Sequence, residues 1–157
     1  RVTVRYGDEV TVEIVDDGPL RGELEQRIAR AGVSDWIRLT GSVQRTELVD
    51  HYRRAWLVVS GSLAEGWGLS LTEGAACGTP AVATDIRGHR SSVVAGTTGV
   101  LADPEHLGAT IADVLLDEPR RAALAAAALA RASALTWDNS ALGLTRCLHA
   151  EVVRHRR

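Results

Sequence analysis

Two carboxylates, Glu65 and Glu73, stand eight positions apart in the sequence, with a glycine-flanked turn directly after the first of them. The residues after the turn predict a helix that ends at Gly78. This arrangement places one acid on a loop and the other inside the helix, with the helix N-terminus between them. The first N–H groups of a helix have no acceptor within it and are suited to binding a phosphate. A site of this kind can hold a phosphate and a polyhydroxylated group at once, and a nucleotide sugar contains both.

The two acids have different surroundings in the sequence. Glu73 stands among Leu71, Ala75 and Ala76, which predict a helix buried on most sides, so this carboxylate needs polar partners. The paired hydroxyls of a ribose are suitable, because an ionised carboxylate offers acceptors to both. Glu65 is suited either to capping the helix or to accepting hydrogen bonds from sugar hydroxyls. The pair is also compatible with a glycosidase, but the phosphate seat between the acids disfavours that interpretation.

The turn between the acids contains Gly66, Trp67 and Gly68. Glycine is common in a tight turn, and it also lets a ligand approach the backbone without meeting a side chain. Trp67 fits a hydrophobic plug in the loop and a wall of a sugar pocket equally well. Of the histidines, His89 after Gly88 is the one expected near this cleft, and an ordinary loop histidine is the favoured interpretation.

Length and composition exclude several classes of protein. The 157 residues suffice for one domain with a hydrophobic core, predicted over residues 1–157, and the apolar fraction of 45% is typical of globular proteins. A net charge of −2 offers no electrostatic basis for binding nucleic acid. Cys77 and Cys147 lack the spacing of a zinc site and are predicted to be free thiols in a reducing cytoplasm. No apolar run is long enough to span a bilayer, and the missing initiator methionine suggests a fragment.

The elements that must position these residues follow from hydrophobic periodicity and turn signals. Strands alternate with helices of about ten residues, which predicts an α/β fold, a Rossmann-like doubly wound parallel sheet with helices on both faces. Ligands bind such sheets beyond the carboxyl ends of the strands, where the polar and glycine-rich loops 16–19, 41–43 and 60–69 are predicted to lie. The predicted strands are Val10–Val15, Trp36–Thr40, Trp56–Val59, Ala81–Ala83 and Gly99–Leu101, with helices at Pro19–Ala31, Thr46–Ala55, after Gly68 and over about 104–155.

The segment from Glu65 to Ala83 resembles the E-x7-E signature of retaining GT-B glycosyltransferases, in particular glycosyltransferase family 4. It reads EGWGL at its start and ACGTPAVA at its end, with the second glutamate between them. Four other segments are similar to the same family. The turn 17–20 resembles its G-D-G-P turn with Asp16 in place of the first glycine, and the segment 39–43 resembles F-x-G-x-V. The segment 47–55 resembles the helix that follows, and 137–138 resembles W-D.

The resemblance implies the C-terminal, donor-binding half of a GT-B enzyme that transfers a sugar from a nucleoside diphosphate sugar, with no cofactor or metal. Glu65 is the implied catalytic residue, in a retaining reaction described for the family as front-face displacement, which rests on positioning and on stabilising phosphate charge. The resemblance implies that Glu73 contacts the ribose and that the donor sugar is bound by Glu65, Gly66, Trp67 and Gly68. It implies that the diphosphate is bound by Leu69 and Ser70, and the nucleobase by Ser42 and Val43.

The expected partners are a nucleotide sugar and the N-terminal half of a parent chain, which would carry the acceptor site and an Arg/Lys pair that clamps the diphosphate. We expect this segment alone to be inactive and the parent enzyme to be cytoplasmic, with peripheral membrane association left open. The basic segment 154–157 is a weak membrane signal and is typical of a solvated helix end. One departure from the family is Ser91, where a glutamate is common.

Two other classes of protein remain to be compared with the enzyme. A non-catalytic nucleotide-binding or scaffold module that keeps the fold is the second hypothesis. A complete parent chain with the Arg/Lys pair favours the enzyme, and a native chain that ends here favours the module. A dinucleotide-binding oxidoreductase is disfavoured, because no G-x-G-x-x-G follows the first predicted strand.

Overall fold

A six-stranded sheet forms the frame of the molecule. The structure is a computed structural model and describes residues 2–6 and 10–155. The strands are β1 (Val2–Tyr6), β2 (Val10–Val15), β3 (Ile37–Gly41), β4 (Leu57–Ser60), β5 (Ala81–Thr84) and β6 (Gly99–Ala102). Their order across the sheet is β3-β2-β1-β4-β5-β6.

Strand direction places the predicted loops at one edge of the sheet. Strands β2 and β3 are parallel, and so are β4, β5 and β6. Strand β1 is antiparallel to both β2 and β4, so those two strands point the same way. The five strands predicted from the sequence are therefore mutually parallel, and their carboxyl ends share one edge. Strand β1 is a sixth strand that the hydrophobic pattern did not reveal, and it runs in the opposite direction at the centre.

Helices cover both faces of the sheet, which confirms the predicted doubly wound arrangement. The helices are α1 (Arg21–Ala31), α2 (Arg45–Arg54), α3 (Leu69–Ala76), α4 (Arg87–Ser92), α5 (Leu107–Leu116), α6 (Glu118–Ser133) and α7 (Trp137–His155), with a 3-10 turn at Pro104–His106. Val58 of β4 belongs to the core cluster beneath α2 and α3, whereas its neighbours Leu57 and Val59 belong to the cluster beneath α5 and α6. Successive side chains of this buried strand point to opposite faces of the sheet, so the strand contributes to both core clusters.

Helix α3, which follows the first acid, lies very close to the sheet. A Cβ atom on Gly74 would approach Val58 Cγ2 to 2.5 Å, so only glycine allows this separation. At its start, Gly68 is the N-cap residue and has a φ of 83°, which favours glycine. At its end, Gly78 has a φ of 80° and stops the helix as predicted.

Helix α4 corrects one sequence-based expectation. Gly88 was predicted to lie in a loop after β5, but it lies in the helix Arg87–Ser92. This six-residue helix has no apolar periodicity that would reveal it, because its buried residues are Gly88, His89 and Ser92. Its packing is instead a tertiary contact: a Cβ on Gly88 would lie 2.2 Å from the carbonyl oxygen of Glu65.

The last helix, α7, packs little against the rest of the described molecule. Every residue of α7 with a described side chain is exposed, including Trp137, which is 91% exposed. Arg154 and His155 end this helix in solvent, as expected for a solvated end, and residues 156–157 lie outside the described part. Within the described ranges, no helix is both long enough and apolar enough to cross a membrane.

Candidate functional site

Three loops lie beyond the carboxyl ends of β2, β3 and β4, at the edge of the sheet that the sequence predicted. The first two are joined directly, since the backbone N–H of Asp16 donates to the carbonyl oxygen of Gly41 at 2.9 Å. The Ser42 hydroxyl also lies 3.5 Å from Asp16 Oδ1. The predicted nucleobase residue Ser42 is exposed, whereas its neighbour Val43 is half-buried and packs on the core cluster beneath α2 and α3.

Asp16 has an unusual backbone conformation at this junction. Its φ is 118°, a region that L side chains rarely adopt, and it is the one non-glycine residue in the described ranges with a positive φ. The resembled family motif has glycine at this position, which the conformation explains. The Asp16 side chain in turn accepts a hydrogen bond from the backbone N–H of Asp17 at 2.9 Å.

Glu65 lies on the loop that follows β4 and is held at one oxygen. The hydroxyl of Ser62 donates to its Oε1, and its Oε2 lies 3.8 Å from Nε2 of His89. The side chain remains 29% exposed and can meet a ligand at the edge of the sheet. Glu65 does not cap α3, which corrects one of the two roles suggested by sequence, because Gly68 occupies the N-cap position.

The dipeptide Gly88–His89 forms a floor beneath this loop. Gly88 packs against the backbone of Glu65, and a Cβ on Gly68 would lie 3.0 Å from Cδ2 of His89. His89 is completely buried, so the interpretation of an ordinary loop histidine is wrong. The sequence carried no signal for its burial, because the surrounding RGHRSS segment is polar and the contact is made by distant residues.

Glu73 is held by a tyrosine on the buried face of α2. The hydroxyl of Tyr52 donates to Glu73 Oε2 at 2.9 Å, and Tyr52 is 1% exposed. Glu73 itself is half-buried, in agreement with the expectation that its carboxylate needs polar partners. The backbone oxygen of Tyr52 accepts a hydrogen bond from Thr79 Oγ1 at 2.6 Å, which fixes α2 against the end of α3.

The residues between the two acids present backbone and open space. Leu69 and Ser70 are the first two residues of α3, so their N–H groups have no intrahelical acceptor and lie at the positive end of the helix dipole. A Cβ on Gly66 would meet no atom within 4 Å. Trp67 is 37% exposed, which is compatible with both interpretations of its role.

A separate cleft of about 260 Å³ lies beside the turn 16–20, between β2, β3 and α1. Its walls combine the apolar side chains of Ile14, Leu24 and Leu39 with Asp16 and Arg21. Within the described part of the chain, none of the predicted site residues lines it. The cleft therefore lies beside the turn after β2 and does not include Glu65 or Glu73.

The fold, with its site at the Glu65 loop and the start of α3, is that of the C-terminal domain of GT-B glycosyltransferases. The chain belongs to the family of glycosyl transferases group 1, whose family model matches residues 3–131. Tyr52, Ser62 and Thr84 are residues of the site that sequence reasoning missed, whereas His89 was expected near the cleft but not as a buried residue. Only Tyr52 carried a signal, since its spacing from Leu48 places both on the buried face of α2.

Curated relatives support this membership. A D-inositol 3-phosphate glycosyltransferase of Thermobispora bispora is 40% identical over 119 residues, which are 74% of this chain and 28% of that protein. A protein of the same name from Frankia alni is 38% identical over 147 residues, which are 87% of this chain and 36% of that protein. The chain thus spans about a third of the length of these relatives.

Solved structures agree on the fold. The Anabaena protein Alr3699/HepE, in complex with UDP and glucose, matches with a TM-score of 0.75 and 26% identity, covering 86% of this chain and 40% of that chain. The C-terminal domain of the group 1 glycosyl transferase LpcC from Francisella tularensis matches with a TM-score of 0.66 and 24% identity, covering 74% and 62%. The second comparison bears on the fold alone.

Proposed function

We propose that this chain binds a nucleoside diphosphate sugar and forms the donor half of a retaining glycosyltransferase. One observation carries the proposal: Glu65, the N-terminus of α3 and Glu73 lie in succession along the ligand-binding edge of a doubly wound sheet. The similarity to a protein solved with UDP and glucose supports this class of ligand. Each part of the donor (sugar, diphosphate and nucleoside) then lies beside a protein group of suitable chemistry.

Each part of the donor is assigned to a neighbouring group. Glu73, aimed by Tyr52, accepts hydrogen bonds from the ribose hydroxyls, and Leu69 and Ser70 donate backbone N–H groups to the diphosphate. Glu65 and the backbone of 66–68 bind the donor sugar. Ser42 and Val43 face the nucleobase from the adjoining loop.

The proposed transfer depends on positioning and on charge. Glu65 holds the donor sugar so that the acceptor hydroxyl attacks the face from which the diphosphate leaves, which retains the configuration at the anomeric carbon. The leaving diphosphate takes the acceptor proton, and the N-terminus of α3 stabilises the negative charge that develops on it. Binding without a metal ion remains a prediction.

The acceptor is assigned to an N-terminal half of the parent chain. Helix α7 supports such a partner, because it carries exposed Trp137, Leu144 and Leu148 on a helix that contacts little of the described molecule. We assign the enzyme to the cytoplasm, where the free thiols Cys77 and Cys147 would stay reduced. Peripheral membrane association of the parent enzyme is a prediction that vesicle flotation can test.

Calorimetric titration of the complete natural chain that contains these residues tests the proposal. The ligands are UDP, GDP and ADP with their glucose or mannose conjugates, each with magnesium and with EDTA. Glu73→Ala should weaken binding of the preferred nucleotide by about tenfold or more, since hydrogen bonds to a charged group are lost. Glu118→Ala is the matched control, because Glu118 is an exposed glutamate at the start of α6.

Three outcomes separate the hypotheses. Binding by the wild type that is lost in Glu73→Ala and kept in Glu118→Ala supports the donor site. Binding of none of these nucleotides refutes it. Nucleotide binding without sugar transfer or donor hydrolysis in the complete chain supports the non-catalytic module instead.

A further inference from the structure

His89 combines complete burial with one nitrogen that has no hydrogen-bond partner in the described part of the chain. Its side chain is 0% exposed, and its Nε2 atom makes no hydrogen bond there. That atom faces Glu65 Oε2 at 3.8 Å. A buried polar atom without a partner costs about 1–3 kcal/mol, so this one calls for an explanation.

The surroundings of the other nitrogen decide which tautomer is present. Nδ1 of His89 lies 2.8 Å from the carbonyl oxygen of Thr84 and 3.2 Å from its hydroxyl. A carbonyl oxygen only accepts, and the Thr84 hydroxyl donates its hydrogen to the carbonyl oxygen of Ser62. Both neighbours therefore need a proton on Nδ1. Nε2 is left as the nitrogen that faces the ligand-binding loop.

The imidazole ring cannot move far to satisfy Nε2. The loop backbone at Gly68 packs on one ring edge, where an added Cβ would lie 3.0 Å from Cδ2 of His89. Gly88 packs more closely still on the carbonyl oxygen of Glu65. The Glu65 carboxylate is partly exposed and can move instead, and a shift of about 1 Å closes the gap to a charge-assisted hydrogen bond.

We propose that His89 is a positioning residue whose Nε2–H holds Glu65 Oε2, so that the carboxylate is aimed at the donor sugar. Ser62 holds the other oxygen, and two fixed oxygens define a single orientation of the carboxylate. His89 would then carry a proton on both nitrogens and would not touch the donor itself. The inference rests on the proposed function, because it takes Glu65 as the residue that contacts the sugar.

A purely structural histidine would act differently. Such a residue would anchor α4 to the end of β5 through Nδ1 and Thr84, and Nε2 would have no role. Two variants separate the nitrogens: in His89→Asn the amide nitrogen occupies the position of Nδ1, and in His89→Gln it reaches the position of Nε2. If His89 positions Glu65, His89→Gln should keep its function. If His89 only anchors α4, His89→Asn should keep it.

The first test compares affinities for UDP-glucose, GDP-mannose and ADP-glucose with those for UDP, GDP and ADP in the complete chain. For the pair that the wild type binds most tightly, His89→Asn should lower the preference for the sugar nucleotide by about tenfold, and His89→Gln should restore it. Affinity for the nucleoside diphosphate alone should change less than about twofold in both variants. In a Glu65→Gln background, His89→Asn should have no further effect, because the two residues act as one unit.

The second test needs no variant of His89 and no ligand. Long-range proton–nitrogen NMR spectra of the histidine side chains should show a proton on Nδ1 of His89. Glu65→Gln should change the Nε2 signal of His89 while leaving that of the distant His149 unchanged. An Nε2 signal that is identical in the wild type and in Glu65→Gln overturns the proposal.

The outcomes of the affinity test are separable from those of the proposed function. A wild type that binds no nucleotide refutes both the proposed function and the role of His89. A wild type that prefers the sugar nucleotide, together with His89→Asn that keeps the same preference, removes only the role of His89. Equal losses in His89→Asn and His89→Gln also remove it, since a donor restored at the position of Nε2 then has no effect.

Discussion

The hydroxyl of Tyr52 donates a hydrogen bond to the carboxylate of Glu73 at 2.9 Å, from a side chain that is almost completely buried. Tyr52 belongs to α2 and Glu73 to α3, so the bond joins two helices on the same face of the sheet. Its core position leaves the phenol little freedom to turn. A residue of the hydrophobic core thereby sets the direction of a carboxylate at the proposed ligand site.

Tyr52→Phe should reduce both stability and ligand affinity. Loss of this hydrogen bond should lower the free energy of unfolding by about 1 kcal/mol, because the phenylalanine ring keeps the packing. A less restrained Glu73 should weaken nucleotide binding severalfold. Urea unfolding and calorimetry measure the two effects.

A matched variant shows whether Tyr52 acts through Glu73. Thr79→Val removes the hydrogen bond to the backbone of Tyr52 but leaves the phenol in place. It should lower stability without changing nucleotide affinity once the protein is folded. Wild-type affinity in Tyr52→Phe would contradict the orienting role.

Two glycines of the site should respond differently to substitution by alanine. Gly88→Ala places a Cβ 2.2 Å from the Glu65 carbonyl oxygen, so α4 or the loop must move, and we expect a loss of about 1–3 kcal/mol in unfolding free energy. Gly66→Ala meets open space and should be close to neutral for stability. If a ligand approaches this backbone, Gly66→Ala should nevertheless weaken binding of the sugar nucleotide.

Thermal unfolding and titration of the two alanine variants distinguish these effects. Gly66→Ala that binds like the wild type would show that no ligand group packs against this turn. Gly88→Ala that unfolds like the wild type would contradict the close contact between α4 and the Glu65 loop.

The two cysteines should differ in reactivity. Burial raises the pKa of the half-buried Cys77 thiol, so little thiolate forms near neutral pH, whereas Cys147 is exposed on α7. In the folded protein, a disulfide reagent such as DTNB should modify Cys147 faster by on the order of tenfold or more. Cys147→Ser should remove the fast phase, and urea should make both thiols of the wild type react quickly. A fast phase that survives in Cys147→Ser would contradict the burial of Cys77.

The ion pair at the end of β5 should make stability depend on acid pH. The hydrogen bond from Arg90 lowers the pKa of Asp85, with two nitrogens of Arg90 lying 2.6 and 2.9 Å from the carboxylate oxygens. A carboxyl whose pKa is lower in the folded state stabilises the fold above its unfolded pKa, and this contribution disappears as pH falls through the folded pKa. Urea midpoints measured from pH 6 to pH 2 should therefore fall less steeply in Asp85→Asn than in the wild type.

Arg90→Gln is the control for the ion pair. Without the guanidinium, the pKa of Asp85 should return toward its ordinary value, and the pH dependence should resemble that of Asp85→Asn. An unchanged acid transition in Arg90→Gln would show that another group lowers the pKa of Asp85.

Local patterns in the sequence determined most of the fold. The continuous apolar run at 56–59 and the alternation at 10–15 each predicted a strand, because burial on two faces or on one leaves a distinct hydrophobic pattern. Glycine and proline signals ended the helices close to their observed bounds. These are local properties, and they also placed Glu65 and Glu73 on either side of the start of α3.

The tertiary structure decided what supports those acids. Helix α4 has six residues and no apolar period, and the burial of its His89 depends on the loop that follows β4 and on Thr84 at the end of β5. Strand β1 takes its antiparallel place only through pairing with β2 and β4. Contacts between residues distant in sequence leave no periodic signal, so the two carboxylates could be identified from the sequence, whereas the approach of Tyr52 to Glu73 and of His89 to Glu65 could not.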